Sequence, residues 1–267
     1  MRCGSAKLTM AGALAVLAAA VGAAAGETAH VTYSLSLVGL PVGTAAVGIT
    51  YDGRSYAVDS KGSVGGVAAV VSRAKGAASG HGMIVDGRLS PSDFATTATN
   101  SSMTRTIRMT LSGNAVGRVD VSPPFEDKPD RIPVAERDRR GVIDPASAFL
   151  FASPGGGPLV GPAACNRTLP IFDGNTRFDL ALTYAGQREV QTKGYKGPVA
   201  VCSARYRPIS GHRPDRPATK FMVENRDLEL WLAPWESAHV LLPYRVSVRT
   251  MIGTVVAEAS EFSAPSK

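Results

Sequence analysis

The stretch Val31-Thr32-Tyr33-Ser34-Leu35-Ser36-Leu37, continued by residues 44–51, Asp52-Gly53 and residues 55–61, decides the fold class of this 267-residue chain. Apolar and polar side chains alternate with period two, which places one set on each face of an extended strand. Asp52-Gly53 between alternating runs is a hairpin signal, because both central positions of a type I′ turn take positive φ. Leu40-Pro41-Val42-Gly43 reads as the preceding turn. The same grammar recurs at Met83-Ile84-Val85 before Asp86-Gly87, at 103–111 before Gly113-Asn114, and at 115–121. A meander of short antiparallel strands is expected.

Working outward, residues 64–74 carry Val67, Val70 and Val71 at i, i+3 and i+4 and read as a helix weakened by glycine. Residues 122–140 hold four prolines among mixed charges and read as a long surface connection. Asp144-Pro145-Ala146-Ser147 has the form of a helix start, with Asp144 as N-cap and Pro145 in the first turn, so a short helix is expected over 144–151. A Gly/Pro loop over 153–164 precedes expected strands at 165–172, 177–184, 187–193 and 199–208. Residues 209–218 read as a polar break, and strands resume at 228–232, 238–248 and 254–259. Twelve or more strands cannot stay open and flat. The expectation is a mainly β fold: one large, strongly curved antiparallel sheet, an open barrel or β-spiral, with one or two short helices.

Arg2 and Lys7 precede an alanine-rich apolar run from Leu8 to Ala25, the pattern of an export signal. Cleavage after Ala25 would leave a single β-rich periplasmic domain, 26–267, with no transmembrane segment. The leader takes two cations from the 29 Lys and Arg and none from the 22 Asp and Glu, so the formal charge falls from +7 to +5. The remaining cations are scattered, which argues against nucleic acid as a partner and is compatible with anionic headgroups. Cys3 leaves with the leader. Cys165 and Cys202 remain as an exported pair and are expected to form a disulfide, closing a loop of about 37 residues. A redox role would call for Cys-x-x-Cys at a helix start, whereas here 36 residues intervene.

Motifs for chemistry are sparse. His30, His81, His212 and His239 lack metal-ligand spacing, and no nucleophile elbow, phosphate loop or dinucleotide fingerprint is present. Gly155-Gly156-Gly157 sits between Pro154 and Pro158 with no helix after it and reads as a loop. No catalytic residue, metal or cofactor is therefore assigned. Arg205, Arg207, Arg213, Arg216 and Lys220 surround His212 and are candidates for contact with an anionic headgroup or a partner; an ordinary solvated loop is the competing reading.

The order of Tyr33, Leu40-Pro41-Val42-Gly43, Tyr56, Gly80, Pro91, Asp144-Pro145-Ala146-Ser147-Ala148, Ile171-Phe172-Asp173-Gly174 and Pro243-Tyr244-Arg245-Val246 resembles a family of exported Gram-negative envelope proteins known as domain of unknown function 3108. The resemblance spans nearly the whole mature chain and brings no catalytic residues. Asp144, Pro145, Ser147, Asp173 and Gly174 are its most specific positions, with a structural role expected for them. A looser likeness, at the level of fold, is to periplasmic β-spiral and half-barrel proteins, among them lipoprotein carriers whose curled sheet holds acyl chains. The expected function is a non-enzymatic envelope protein, a scaffold or carrier that binds a protein partner or a lipid-like apolar ligand in its curved sheet. The alternative is a hydrolase acting on an envelope polymer or lipid, and a purely structural module is the third reading.

Overall fold

Residues 26–65, 74–153 and 157–265 are described by the structure, a computed structural model. The alternation of residues 31–37 becomes β1 (Glu27–Leu37), followed by β2 (Leu40–Tyr51), β3 (Ser55–Val64), β4 (Lys75–Val85), β5 (Arg88–Thr99), β6 (Thr104–Ser112) and β7 (Ala115–Ser122). After the proline-rich connection come β8 (Phe151–Ala152), α1 (Pro162–Cys165), β9 (Thr168–Phe172), β10 (Arg177–Thr192) and β11 (Tyr195–Ser210). The chain continues through α2 (Pro217–Glu224), β12 (Leu228–Trp235), β13 (Val240–Thr250) and β14 (Gly253–Ser263).

All strands join one sheet in the order β7-β6-β5-β4-β3-β2-β1-β14-β13-β12-β11-β10-β9, with β8 attached to β13. Every strand pairing is antiparallel, and β14 pairs with β1, so the C-terminal half continues the meander. The edge strands β7 and β9 do not pair with each other; residues 140–143 bridge the seam. Arg140 forms an antiparallel bridge to Ala115 of β7, and Ile143 a parallel bridge to Ile171 of β9. Val142 N–H donates to Asn114 O at 2.9 Å, and Ile143 N–H to Pro170 O at 2.8 Å. These bonds give partners to edge groups that would otherwise offer a template for another chain.

The curl produces two hydrophobic cores. Val31, Tyr33, Ile49, Val58, Phe94, Met109, Trp235, Leu242 and Phe262 belong to the first. Cys165, Ile171, Leu182, Cys202, Leu230, Leu232 and Leu241 belong to the second. Strand β13 divides them: Val240, Leu242 and Tyr244 face the first and Leu241 the second, which is why residues 240–244 are all buried. Each large apolar side chain buried in this way contributes about 1.5–3 kcal/mol.

Several local readings need correction. The first turn is Val38-Gly39, with φ of 51° and 79°, and residues 40–43 lie inside β2. Only Gly53 of Asp52-Gly53 has positive φ, and Asp52 instead accepts hydrogen bonds from the amides of Arg54 and Ser55. Asp86-Gly87 and Gly113-Asn114 have both residues at positive φ, as a type I′ turn requires. Residues 144–151 form a short 3-10 turn, Ser147–Phe149, rather than an α-helix. Cys165 ends α1, and β9 begins at Thr168. The strands expected at 177–184 and 187–193 are one strand, β10, with a register shift between Tyr184 and Gly186. Helix α2 begins within the expected polar break. Val64 closes β3; the rest of the helix expected over 64–74 falls mostly on 66–73, outside the described residues, as do residues 1–25, where the leader was expected, and Gly155-Gly156.

Candidate functional site

The inward positions of β3 to β6 divide the inner face into a filled half and an open half. Toward the 140–152 segment they are Tyr56, Val58, Phe94, Met109 and Leu111, all buried in the first core. Toward the other end they shrink to Ser60, Gly62, Gly76, Ala78, Thr96 and Ala98 on three neighbouring strands. Two adjoining hollows result, of about 540 Å³ and about 380 Å³. They share Gly62, Gly76 and Thr96, and so form one groove. Its walls are Leu35, Val47, Phe149, Val246 and Ala257; Ile107, Met103 and Phe125 close its outer part, where Lys75, Asn100 and Arg105 stand. The size and apolar lining are those of a small-molecule site.

Phe149 reaches the groove because the 3-10 turn that carries it is anchored beneath the sheet. Asp144 Oδ1 accepts the amides of Ala146 and Ser147, each at 2.9 Å, and Asp144 Oδ2 accepts the Ser147 hydroxyl at 2.5 Å. With that proton committed, Tyr56 donates its hydroxyl to Ser147 Oγ at 2.7 Å. Asp144 and Ser147 have no exposed surface. Gly80 makes room for the arrangement: a Cβ there would lie 2.9 Å from both Asp144 Oδ1 and Ala146 Cβ. Burial pushes the Asp144 carboxyl above the ordinary aspartate range, opposed by the hydrogen bonds from Ser147 and Ala146. Burial likewise raises the Tyr56 phenol, here opposed by its bond to Ser147. A serine nucleophile needs its hydroxyl on a base and open to substrate; Ser147 Oγ instead anchors a turn. Of the residues on which the family resemblance was read, Tyr56, Gly80, Asp144 and Ser147 thus meet at one point.

Asp173 and Gly174 anchor a second turn, at the seam. Asp173 Oδ1 accepts the amides of Asn175 at 2.9 Å and Thr176 at 2.6 Å, and burial raises its carboxyl against those bonds. Gly174, at φ 93°, lies against Ile107 of β6, where a Cβ would stand 2.5 Å from Ile107 Cγ2. Tyr33 donates to Pro243 O at 2.6 Å, tying β1 to β13. Cys165 and Cys202 are joined, with Cα atoms 5.3 Å apart, so α1 is stapled to β11 in the second core.

The candidate cations of the sequence stand elsewhere. Arg205 donates to Asn225 O at 2.8 Å, Arg213 pairs with Asp130 at 2.8 Å, and Lys220 pairs with Asp215 at 3.0 Å. Arg207 lies opposite Asp179 in the β10–β11 register, Arg216 precedes the first turn of α2, and His212 Nδ1 is buried without a hydrogen-bond partner. None of the six lines the groove. Lys75 and Arg105, which do, were not singled out by the sequence. Arg105 lies over the Phe125 ring at 4.1 Å and donates to Pro123 O.

On the outer face Ser92 Oγ and His81 Nδ1 both bond the Asp93 carboxylate, at 2.8 and 2.6 Å, so the imidazole does not hold the hydroxyl. Among the described residues no group of three or more His, Cys, Asp or Glu is placed to hold a metal, and no helix is long and apolar enough to cross a membrane.

The model of the protein family of unknown function DUF3108 matches residues 30–260, and the chain belongs to that family. Among solved structures it is similar to the beta-barrel-like protein of domain of unknown function DUF1849 from Brucella abortus. The TM-score is 0.52 at 10% identity, over 90% of this chain and 99% of that one, a likeness of fold. No curated protein matches.

Proposed function

We propose that this member of the DUF3108 family is a non-enzymatic carrier of the cell envelope, exported by its leader, that holds the acyl chain of an amphiphile in its inner groove. The supporting observation is the change of side-chain size along a single face. The same strands that fill one half with Tyr56, Phe94 and Met109 leave the other half lined by Gly62, Gly76, Ala78 and Thr96. A face meant only to pack would carry large residues throughout, since interiors are filled to crystal-like density. Burial of methylenes against this lining contributes about 0.8 kcal/mol each. At the outer part of the groove Arg105 suits an anionic headgroup.

A fatty-acid probe with an environment-sensitive fluorophore tests the reading. Mature protein is expected to enhance its emission, and Ala78→Trp, which fills the middle of the groove, to abolish the enhancement while retaining the β-sheet circular dichroism. Equal enhancement by both proteins, or none by the wild type, would overturn it.

A further inference from the structure

Two hairpin tips stand side by side at one end of the sheet. The β1–β2 turn is Val38-Gly39 and the β13–β14 turn is Met251-Ile252. Val38 N–H donates to Thr254 O at 2.9 Å, and the Val38 side chain lies directly over Gly253. On its other side β2 enters register with β3 at Gly43. Val42 O still accepts the Gly65 amide at 2.8 Å, so the turn with Leu40 and Pro41 lies past the last described bond between the two strands.

These tips carry the most exposed aliphatic side chains of the described residues: Val38 at 66%, Leu40 at 62%, Met251 at 60% and Ile252 at 75%. Single exposed aliphatics are ordinary, but four on two touching tips form a patch. Val38 also has φ 51°, a region costly for a β-branched residue and natural for Asn or Gly. An apolar side chain is thus kept at this tip against the preference of its own turn.

Charge points to what covers the patch. The row of strand ends at this side comprises residues 35–42, 62–65, 74–75, 99–105 and 249–255. It contains Lys75, Arg105 and Arg249; Arg249 is paired with Asp227 at 3.1 Å, and just past the end of β7 stands Glu126, whose carboxyl is lowered by Lys128 and also by Arg105. Exposed aliphatics with cations beside them suit insertion into an anionic lipid interface. The outer part of the groove, at Leu35, Met103 and Arg105, lies at the same end.

We propose that the paired tips are a membrane-docking surface. Val38, Leu40, Met251 and Ile252 enter the headgroup boundary of an anionic phospholipid bilayer, with Lys75, Arg105 and Arg249 against its phosphates. Flotation of the mature protein with vesicles of phosphatidylethanolamine and phosphatidylglycerol tests this. Wild type is expected to float with them, less so with phosphatidylcholine vesicles or at high salt. Ile252→Asp and Val38→Asn are expected to weaken flotation about tenfold or more. Val38→Asn suits the turn and so keeps the fold. Ala78→Trp is expected to float like wild type, so docking and groove occupancy fail separately. A wild type that stays soluble, or tip variants that float as well as wild type, would overturn the proposal. So would a dimer abolished by the same substitutions in a protein that ignores vesicles.

Discussion

Asp144 is buried, accepts three hydrogen bonds, and has Tyr56 behind Ser147 and Gly80 against its carboxylate. Asp144→Ala strands two amides and a hydroxyl in the interior and is expected to cost about 3 kcal/mol or more in urea unfolding. Gly80→Ala drives a methyl into the same carboxylate and is expected to cost about 1–3 kcal/mol. The raised Asp144 carboxyl sets a sign for pH. The folded state keeps its proton at a higher pH than the unfolded chain, whose aspartate titrates near about 3.9. This contribution to stability is therefore fully present below the unfolded value and is lost as pH rises through the folded one. Unfolding free energies measured across acid pH should show wild type gaining on Asp144→Asn as pH falls. Asp173 adds the same sign, while hydrogen bonds lower the exposed Asp52 and Asp130 carboxyls and act oppositely, so the difference between the two proteins is the quantity to read. That Asp144 holds the amides that follow it was legible, because Asp-Pro-x-Ser is a local signal, although the turn it anchors is a 3-10 turn begun at Ala146 and not the expected helix. The Tyr56 bond crosses 91 residues, and no local pattern encodes it.

At the scale of elements, α1 has four residues and no side-chain cap, and rests on its disulfide to β11. Replacing both Cys165 and Cys202 by Ser is expected to lower stability by about 3–4 kcal/mol, from the loop of about 37 residues released in the unfolded chain; denaturant unfolding without reductant measures it. The pairing was legible once Cys3 was assigned to the leader, which leaves two cysteines. The first turn was not, because Val at positive φ contradicts the preference that makes Asn-Gly and Asp-Gly readable. Relief of that conflict gives Val38→Asn an expected gain of about 0.5–1 kcal/mol in thermal or urea unfolding. Helix α2 carried one signal, Pro217 at its first position, masked by the polar residues just before it. Strand β10 was divided in two because Gly186 interrupts the alternation, although pairing with β11 continues through it.

For the whole molecule, period-two alternation and the number of strands dictated one large curled antiparallel sheet. The bridging of its open seam depends on contacts from 115 to 140 and from 143 to 171, which alternation does not record. The small residues of the groove were visible too, but small residues suit tight packing as well as a hollow; the difference lies in how far the facing wall of Phe149, Val246 and Ala257 stands from them. The most direct test of the carrier reading is native mass spectrometry, with lipid extraction, on the chain from Gly26 onward purified from cells without detergent. The account predicts a bound amphiphile on the wild type that is missing from Ala78→Trp. An empty wild type, or equal occupancy in the two proteins, would contradict it.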